Sequence, residues 1–453
     1  MYKTGDNIAA ISTATGGAIA ILRISGYNAF NIAKSVWTPL KKRDTDFHYA
    51  HMYLGNCNFA SVAPEKAFAV FFKEPESYTG ENLVEIHCHG SKLLAEKILK
   101  SLIAAGARQA EPGEFTFRAF INGKLDLSQA EAVADIISAK SELALDLAEK
   151  QLDGVLKRKI NKIRDEIVEI IALCETELDF SEEHDLLIDN NFIQDIEKIL
   201  KELDAIIKTA RDGMIIRDGF KIVIAGHPNA GKSSLFNCLL GRDRAIVTDI
   251  PGTTRDTIEE DLIIGSLRAT IIDTAGLRDA DNLIEKIGIQ RTRESIGSAD
   301  MILWVLDPLS DKDTQIKEMK SHSPEDNTIV VWSKSDLLKN DEIFQLKQLL
   351  KDSICISSRS FDGISELREK IITKASVAEY NSKDEFAIST RHETLISEAI
   401  LALNMALTEM RKSQYEIVAM FLRNALFSIK QITGEVYTPD ILDDIFSKFC
   451  IGK

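Results

Sequence analysis

The sequence predicts a multidomain chain of mixed class, α/β plus all-α. An N-terminal α+β domain comes first, a helical domain is formed from two chain segments, and a P-loop domain with a mainly parallel sheet is inserted between those segments. Three observations carry this prediction. Gly226-His227-Pro228-Asn229-Ala230-Gly231-Lys232-Ser233 fits G-x-x-x-x-G-K-S, with an apolar run before it and a helical run after it. Apolar strands alternate with helical segments from there to about residue 376, which implies a mainly parallel sheet with helices on both faces. Helical periodicity dominates before and after this stretch.

Each part can be justified in chain order. Residues 1–120 mix short β-rich runs with helical stretches, and Ala18–Ile24 and Ala67–Phe72 read as strands. Residues 121–212 form the first helical segment. Ser128 and Glu131 have capping-box spacing. Leu152, Leu156, Ile160, Ile163, Ile167 and Ile170 recur every three or four residues, the stripe of one long amphipathic helix. An interruption falls around residues 180–192, and Asp212 to Phe220 reads as an entry linker. The inserted domain spans 217–376, with strands at 221–225, 268–272, 301–306 and 328–332. Residues 378–453 form the second helical segment.

The composition excludes several classes of function. At 453 residues the chain has room for two to four domains. No apolar run approaches the ~18 residues of a membrane span, and the start lacks the layout of a secretory leader. Six cysteines without paired spacing suit a reducing, cytoplasmic location. A net charge of −15 argues against strong non-specific nucleic-acid binding, while leaving room for a folded RNA held by local basic patches or a partner.

The nucleotide site reads forward from the glycine loop. Its N–H groups and the helix start at Ala230, Gly231, Lys232, Ser233 and Ser234 point at phosphates. Lys232 reaches the β/γ-phosphates and Ser233 holds Mg²⁺. Asp273-Thr274-Ala275-Gly276 follows an apolar strand and supplies the γ-phosphate-sensing D-x-x-G element. Thr253 and Thr254 lie between the two motifs, where a switch segment closes over the metal. Ser333-Lys334-Ser335-Asp336 resembles N-K-x-D with serine for asparagine. A carboxylate at Asp336 accepts two hydrogen bonds from guanine that adenine cannot offer, so the nucleotide is GTP. Ser333 is expected to weaken the bracing of this loop, and Ser357-Ser358 forms the last guanine-contacting loop. Leu277 stands where a water-orienting glutamine is common, so another residue must orient the water. Asn229 brings an amide oxygen near the phosphates, where it could help hold a monovalent cation that acts in place of an arginine finger.

At this point the chain resembles the tRNA modification GTPase family known as MnmE or TrmE. Beyond the GTPase motifs, the resemblance rests on Ile21-Leu22-Arg23-Ile24-Ser25-Gly26, Tyr78-Thr79-Gly80-Glu81, Val84-Glu85-Ile86, Pro112-Gly113-Glu114-Phe115, Lys124 to Ala132, Leu178-Asp179-Phe180 and the terminal Phe449-Cys450-Ile451-Gly452-Lys453. It implies a homodimeric, potassium-dependent GTPase. By motif matching, Asn229, Thr248, Ile250 and Thr253 would surround K⁺, Ser233 and Thr254 would hold Mg²⁺, and Glu285 would be the catalytic glutamate. Taken alone, Glu285 reads as a solvated carboxylate at a helix start.

The resemblance also implies that the N-terminal domain binds a tetrahydrofolate derivative (5-formyl or 5,10-methylene form) and mediates dimerisation. Arg23, Glu85, Lys124 and Lys453 match its folate-contacting positions. The early loop, Thr13-Ala14-Thr15-Gly16-Gly17-Ala18, lacks the family's proline. Cys450 stands open between a nucleophile or acid/base near folate and uridine and a small buried apolar residue. His87-Cys88-His89 alternates faces on a strand, which disfavours a metal site.

The implied activity is modification of carbon 5 of the wobble uridine of certain tRNAs, with a folate-derived carbon. The implied partner is the FAD-carrying flavoprotein MnmG (GidA), in a heterotetramer or larger complex. One rival is a ribosome-assembly GTPase of the related Era-like group, which leaves the N-terminus and the Cys450–Lys453 ending unexplained. Another is a GTP-switched binding module with all covalent chemistry on the partner.

Overall fold

The computed structural model describes residues 3–41, 47–59, 62–180, 190–243, 258–265, 267–273, 299–322, 327–375, 388–412 and 414–453. The chain divides into two compact units: residues 1–137, 151–200 and 394–453 form one, residues 138–150 and 201–393 the other.

The first unit contains a seven-stranded sheet. Its strands are β1 (Ile8–Ile11), β2 (Ile19–Ser25), β3 (Trp37–Pro39), β4 (Met52–Phe59), β5 (Val62–Phe72), β6 (Leu83–His89) and β7 (Arg108–Gln109). The order is β3-β4-β5-β6-β2-β1-β7, antiparallel except for the β1–β7 pair. The period-two alternation of β2 buries Ala20, Leu22 and Ile24 with residues of helices Ala29–Val36 and Lys92–Ala104. The same alternation turns Ile21 and Arg23 to the opposite face.

Helix Leu127–Ser138 starts two residues earlier than the Ser128–Glu131 spacing implies. Asp126 is the capping residue: its Oδ1 accepts from the Gln129 N–H at 2.8 Å, and Gln129 Oε1 accepts from the Asp126 N–H at 3.1 Å. This reciprocal pair is a capping box, and Ser128 instead donates its hydroxyl to Asp126 Oδ1 at 2.7 Å. The long amphipathic helix is Val155–Phe180, with Leu156, Ile160, Ile163, Ile167 and Ile170 buried. Leu152 ends the preceding helix, Glu142–Leu152, because Gly154 takes a left-handed φ of +80°. Helix Tyr415–Thr433 packs along Val155–Phe180, and helices Thr390–Met410 and Pro439–Ser447 complete the C-terminal segment.

The second unit holds β8 (Phe220–Gly226), β9 (Ile258–Ile264), β10 (Leu267–Asp273), β11 (Met301–Leu306), β12 (Thr328–Trp332) and β13 (Ile354–Cys355). Their order is β13-β12-β11-β8-β10-β9, parallel except for the β9–β10 hairpin. Ile222, Ile224, Leu303, Val305 and Val331 join a core on one face. Ala225, Ile302, Trp304, Leu306 and Trp332 join a core on the other. Burial on both faces explains why these strands are continuous apolar runs.

The expected linker at 212–220 is not one. Helix Asn190–Asp218 runs through it, because nothing breaks the helix before Gly219 at φ +78°. Ile216 near its end is buried in the second unit's core. Residues 138–150 also belong to this unit: Ala144 and Leu147 enter the same core, and Lys140 Nζ pairs with Asp261 Oδ2 at 2.7 Å.

A buried ionic cluster organises the N-terminal segment. Arg118, 1% exposed, donates to the Asp6 carbonyl at 2.8 Å, Glu81 Oε2 at 3.1 Å and Glu114 Oε1 at 3.1 Å. Arg108 Nη2 meets the same Glu114 oxygen at 2.6 Å. Removing Arg118 takes the buried cation from between Asp6, Glu81 and Glu114 and leaves the fully buried Glu114 with Arg108 as its remaining cation. Arg118→Met should therefore lower unfolding free energy by about 3–5 kcal/mol in urea titrations; a loss below about 1 kcal/mol would show that the carboxylates re-solvate freely.

Candidate functional site

The phosphate loop joins β8 to helix Lys232–Asp243. Gly226 has φ +138°, and a Cβ there would lie 2.2 Å from the Val305 carbonyl oxygen, so only glycine fits. Asn229 takes a left-handed φ of +63° and is exposed, while Ala230 is buried. Gly231, at φ +99°, completes the turn into the helix. Lys232 is buried, and its Nζ donates to the carbonyls of Gly226 at 2.9 Å and His227 at 2.8 Å. Its ammonium thus sits over the loop that its motif assigns to phosphates. Ser233 and Ser234 are exposed at the helix start, where N–H groups and the helix dipole favour an anion. Asp273 ends β10, in register with Ile224 of β8, which places it at the same sheet edge.

The serine at 333 does brace the loop. Its hydroxyl donates to the Ala230 carbonyl at 2.6 Å and is buried, so it ties the guanine motif to the phosphate loop. A Cβ on Gly231 would lie 3.3 Å from Ser333 Cβ, a close approach that a short side chain suits. Asp336 is exposed, and its Oδ1 accepts from Ser357 Oγ at 2.7 Å. Ser357 is itself fixed, because its Oγ accepts from the N–H groups of Arg359 at 3.2 Å and Ser360 at 3.1 Å. A pocket of about 470 Å³ lies beside these loops, lined by Ser234, Asn237, Ser358 and Arg359 among others. The phosphate loop, the Ser333–Asp336 motif and the Ser357-Ser358 loop are therefore one connected site.

Thr248, Ile250, Thr253, Thr254, Thr274, Ala275, Gly276, Leu277 and Glu285 lie outside the described residues.

Two residues that the sequence does not single out join this network. Asp307 pairs with Lys334 at 2.7 Å, and Gln315 bonds to the Asp307 backbone. An aspartate directly after an all-buried strand was the available signal.

The first unit holds a second site. Arg23 and Glu85 are direct cross-strand partners on β2 and β6. Arg23 Nε and Nη2 donate to Glu85 Oε1 at 3.0 and 2.7 Å, and His87 Nε2 lies 3.4 Å from Oε2. The guanidinium lies 5.5 Å from the Tyr78 ring centre and 5.7 Å from that of Phe115. Burial pushes the Glu85 carboxyl up, but the His87 bond and the Arg23 charge outweigh it and hold the pKa at about 2. The pair keeps 17–19% of its side-chain surface exposed.

The C-terminal tail reaches this neighbourhood. Ile451 bridges Pro112, and the Phe115 N–H donates to the Lys453 carbonyl at 3.1 Å. Lys124 is exposed, its Nζ donating to the Pro75 carbonyl at 3.0 Å. Cys450 is exposed, which removes the reading of a buried apolar residue. The early loop is clamped instead of proline-stiffened: the Gly16 N–H donates to Gly90 O at 2.7 Å, and Thr13 Oγ1 accepts from the Ile21 N–H at 3.0 Å. His87 and His89 pair with different glutamates, Glu85 and Glu65, while the Cys88 thiol is buried toward Ala20.

Comparison with known proteins places the chain in a family. Residues 7–124 match the family model described as GTP-binding protein TrmE N-terminus, and residues 127–450 match the MnmE helical domain. The chain is 40% identical over 460 residues to the tRNA modification GTPase MnmE of Clostridioides difficile, covering 99% of both chains. It is 41% identical over 455 residues to that of Aquifex aeolicus, covering 98% of this chain and 99% of the relative. The relative from Carboxydothermus hydrogenoformans is 39% identical over 462 residues, covering 99% of both. The chain belongs to the MnmE family of tRNA modification GTPases.

Proposed function

We propose that this chain hydrolyses GTP in a potassium-dependent cycle that serves modification of carbon 5 of the wobble uridine in certain tRNAs. The one-carbon unit comes from a tetrahydrofolate derivative. The partner is a flavoprotein of the MnmG (GidA) kind, and the chain works as a cytoplasmic homodimer. Residues 1–120 are the folate and dimerisation domain, 217–376 the GTPase domain, and 121–212 with 378–453 the helical domain.

One observation carries the folate half of this reading. The tail Cys450-Ile451-Gly452-Lys453 is bonded to Phe115, whose ring lies under the Arg23 guanidinium of the Arg23–Glu85 pair. An ionised Glu85 suits the N–H donors of a pterin through Oε2, which among the described residues faces only His87 at 3.4 Å, since Oε1 already accepts two bonds from Arg23. Lys124 and Lys453 suit the carboxylates of folate. The exposed Cys450 thiol supports a role as nucleophile or acid/base toward the transferred carbon or the uridine.

On the GTPase side, the exposed Ser233 hydroxyl at the helix start suits Mg²⁺, with Thr254 as its second protein ligand. The exposed, left-handed Asn229 supports a cation role. Thr248, Ile250 and Thr253 join it around K⁺ by correspondence with the family. The bound K⁺ supplies positive charge beside the phosphates. Glu285 is the residue that orients the attacking water, a task Leu277 cannot perform.

Three outcomes test the proposal. GTP hydrolysis should be faster in KCl than in NaCl by roughly tenfold or more, the scale of a lost transition-state charge partner; equal rates would remove the cation from the mechanism. Ser333→Ala should weaken GDP binding about 5–10-fold, the worth of one buried hydrogen bond, in titrations with a fluorescent GDP analogue. Nucleoside mass spectrometry of tRNA from cells lacking the chain should show loss of a 5-substituted wobble uridine, restored by the wild-type chain and not by Cys450→Ser. Full restoration by the serine variant would leave the covalent chemistry to the partner, and an unchanged profile without the chain would sink the proposal.

A further inference from the structure

Lys334 lies between the two residues that fasten the guanine motif, Ser333 on the phosphate loop and Asp336 on the last loop. Its own backbone is left-handed, at φ +56°, a conformation that lysine rarely adopts. Its ammonium is held from a different strand. Asp307 directly follows β11 and is 7% exposed; its Oδ2 accepts from Lys334 Nζ at 2.7 Å. The other oxygen, Oδ1, accepts from the Leu309 N–H at 3.0 Å, and Ser310 Oγ reaches Oδ2 at 3.3 Å.

Asp307 is fixed in turn. Gln315 stands in helix Lys312–His322 and is 3% exposed. Its Oε1 accepts from the Asp307 N–H at 2.9 Å, and its Nε2 donates to the Asp307 carbonyl at 3.0 Å. One amide thus holds both sides of the same residue. Burial pushes the Asp307 carboxyl up, but the Lys334 ammonium and the Leu309 N–H hold it below the usual aspartate value. The group is an anion at neutral pH, and it meets a cation whose four-carbon stem is anchored at both ends.

We propose that Asp307 is a positioning residue for guanine recognition: by pinning the Lys334 ammonium it holds the lysine stem as a wall of the base site, and Gln315 sets Asp307 for that task. The proposal rests on the reading of Asp336 as the guanine acceptor. A pinned stem presents a fixed apolar surface beside the base, with its side-chain entropy already lost before nucleotide arrives.

The test is a double-mutant cycle on the full-length chain with Mg²⁺, using Asp307→Asn, Lys334→Ala and the double variant. Two probes are titrated, a fluorescent GDP analogue and inorganic triphosphate. Asp307→Asn should weaken GDP about tenfold, the scale of a charge-assisted hydrogen bond. It should leave triphosphate binding unchanged and add less than about twofold in the Lys334→Ala background. Equal losses in both backgrounds, or an equal loss for triphosphate, would make Asp307 merely structural and overturn the proposal. Asp307→Ser runs through the same cycle in case the asparagine variant does not fold. Asp336→Ala separates the two levels: unchanged GDP affinity there overturns the guanine reading itself, whereas a large loss alongside an additive Asp307–Lys334 cycle overturns only the present inference.

Discussion

The first unit depends on the chain's end returning to its beginning. Helix Pro439–Ser447 brings Phe446, fully buried, into a cluster with Phe117, Phe120 and Leu127. The tail beyond it then joins the backbone of the N-terminal segment. Ile451 bridges Pro112, and Gly452 runs so close to β1 that a Cβ would lie 2.5 Å from the Ile11 carbonyl oxygen. Its φ of +95° demands glycine independently of that approach. Because residues 394–453 complete a core begun by residues 1–137, the nucleotide-binding unit enters the chain as an insertion without dividing that core. The same closure bonds Cys450 to Gly113 and Lys453 to Phe115, whose ring lies under the Arg23 guanidinium.

In the second unit the sheet gathers the site. Parallel strands deliver their following loops to one edge, where ligands of open α/β sheets bind. The loops after β8, β11, β12 and β13 are then cross-linked by side chains. Ser333 bonds Ala230, Lys334 bonds Asp307, and Ser357 bonds Asp336. Each link joins segments far apart in sequence, so the strand register sets the geometry and the hydrogen bonds lock it. Asn229 and Ser233 stay exposed within this locked frame.

Two arginines show how burial separates a closed charge from a part-open one. Arg118 is surrounded by Asp6, Glu81 and Glu114 and holds secondary-structure elements together. Arg23 makes one carboxylate pair and keeps part of its surface open, over two aromatic rings. The enclosed Arg118–Glu114 pair offers no surface to a ligand, whereas the part-open Arg23–Glu85 pair does.

The sequence by itself determined the phosphate loop, the strands that follow one another through the second unit, and the stripe of helix Val155–Phe180. These are legible because they repeat a local rule: fixed motif spacing, burial on both faces of a parallel sheet, or a period of three to four. It also carried Asp336, because a motif after a strand has few alternatives. The helix running through 212–218 reads locally as a linker, whereas Ile216 packs in the second unit's core, a contact the local sequence does not display. The acidic edge strand β9 was not legible either, since Glu259-Glu260-Asp261 resembles a loop until Lys140 and Arg268 close on Asp261. The bond from Ser333 to Ala230 spans 103 residues and leaves no mark in the local sequence. Asp307, Gln315 and the clasp on Lys453 were decided only by tertiary structure, because hydrogen bonds between distant residues leave no period in the chain that forms them.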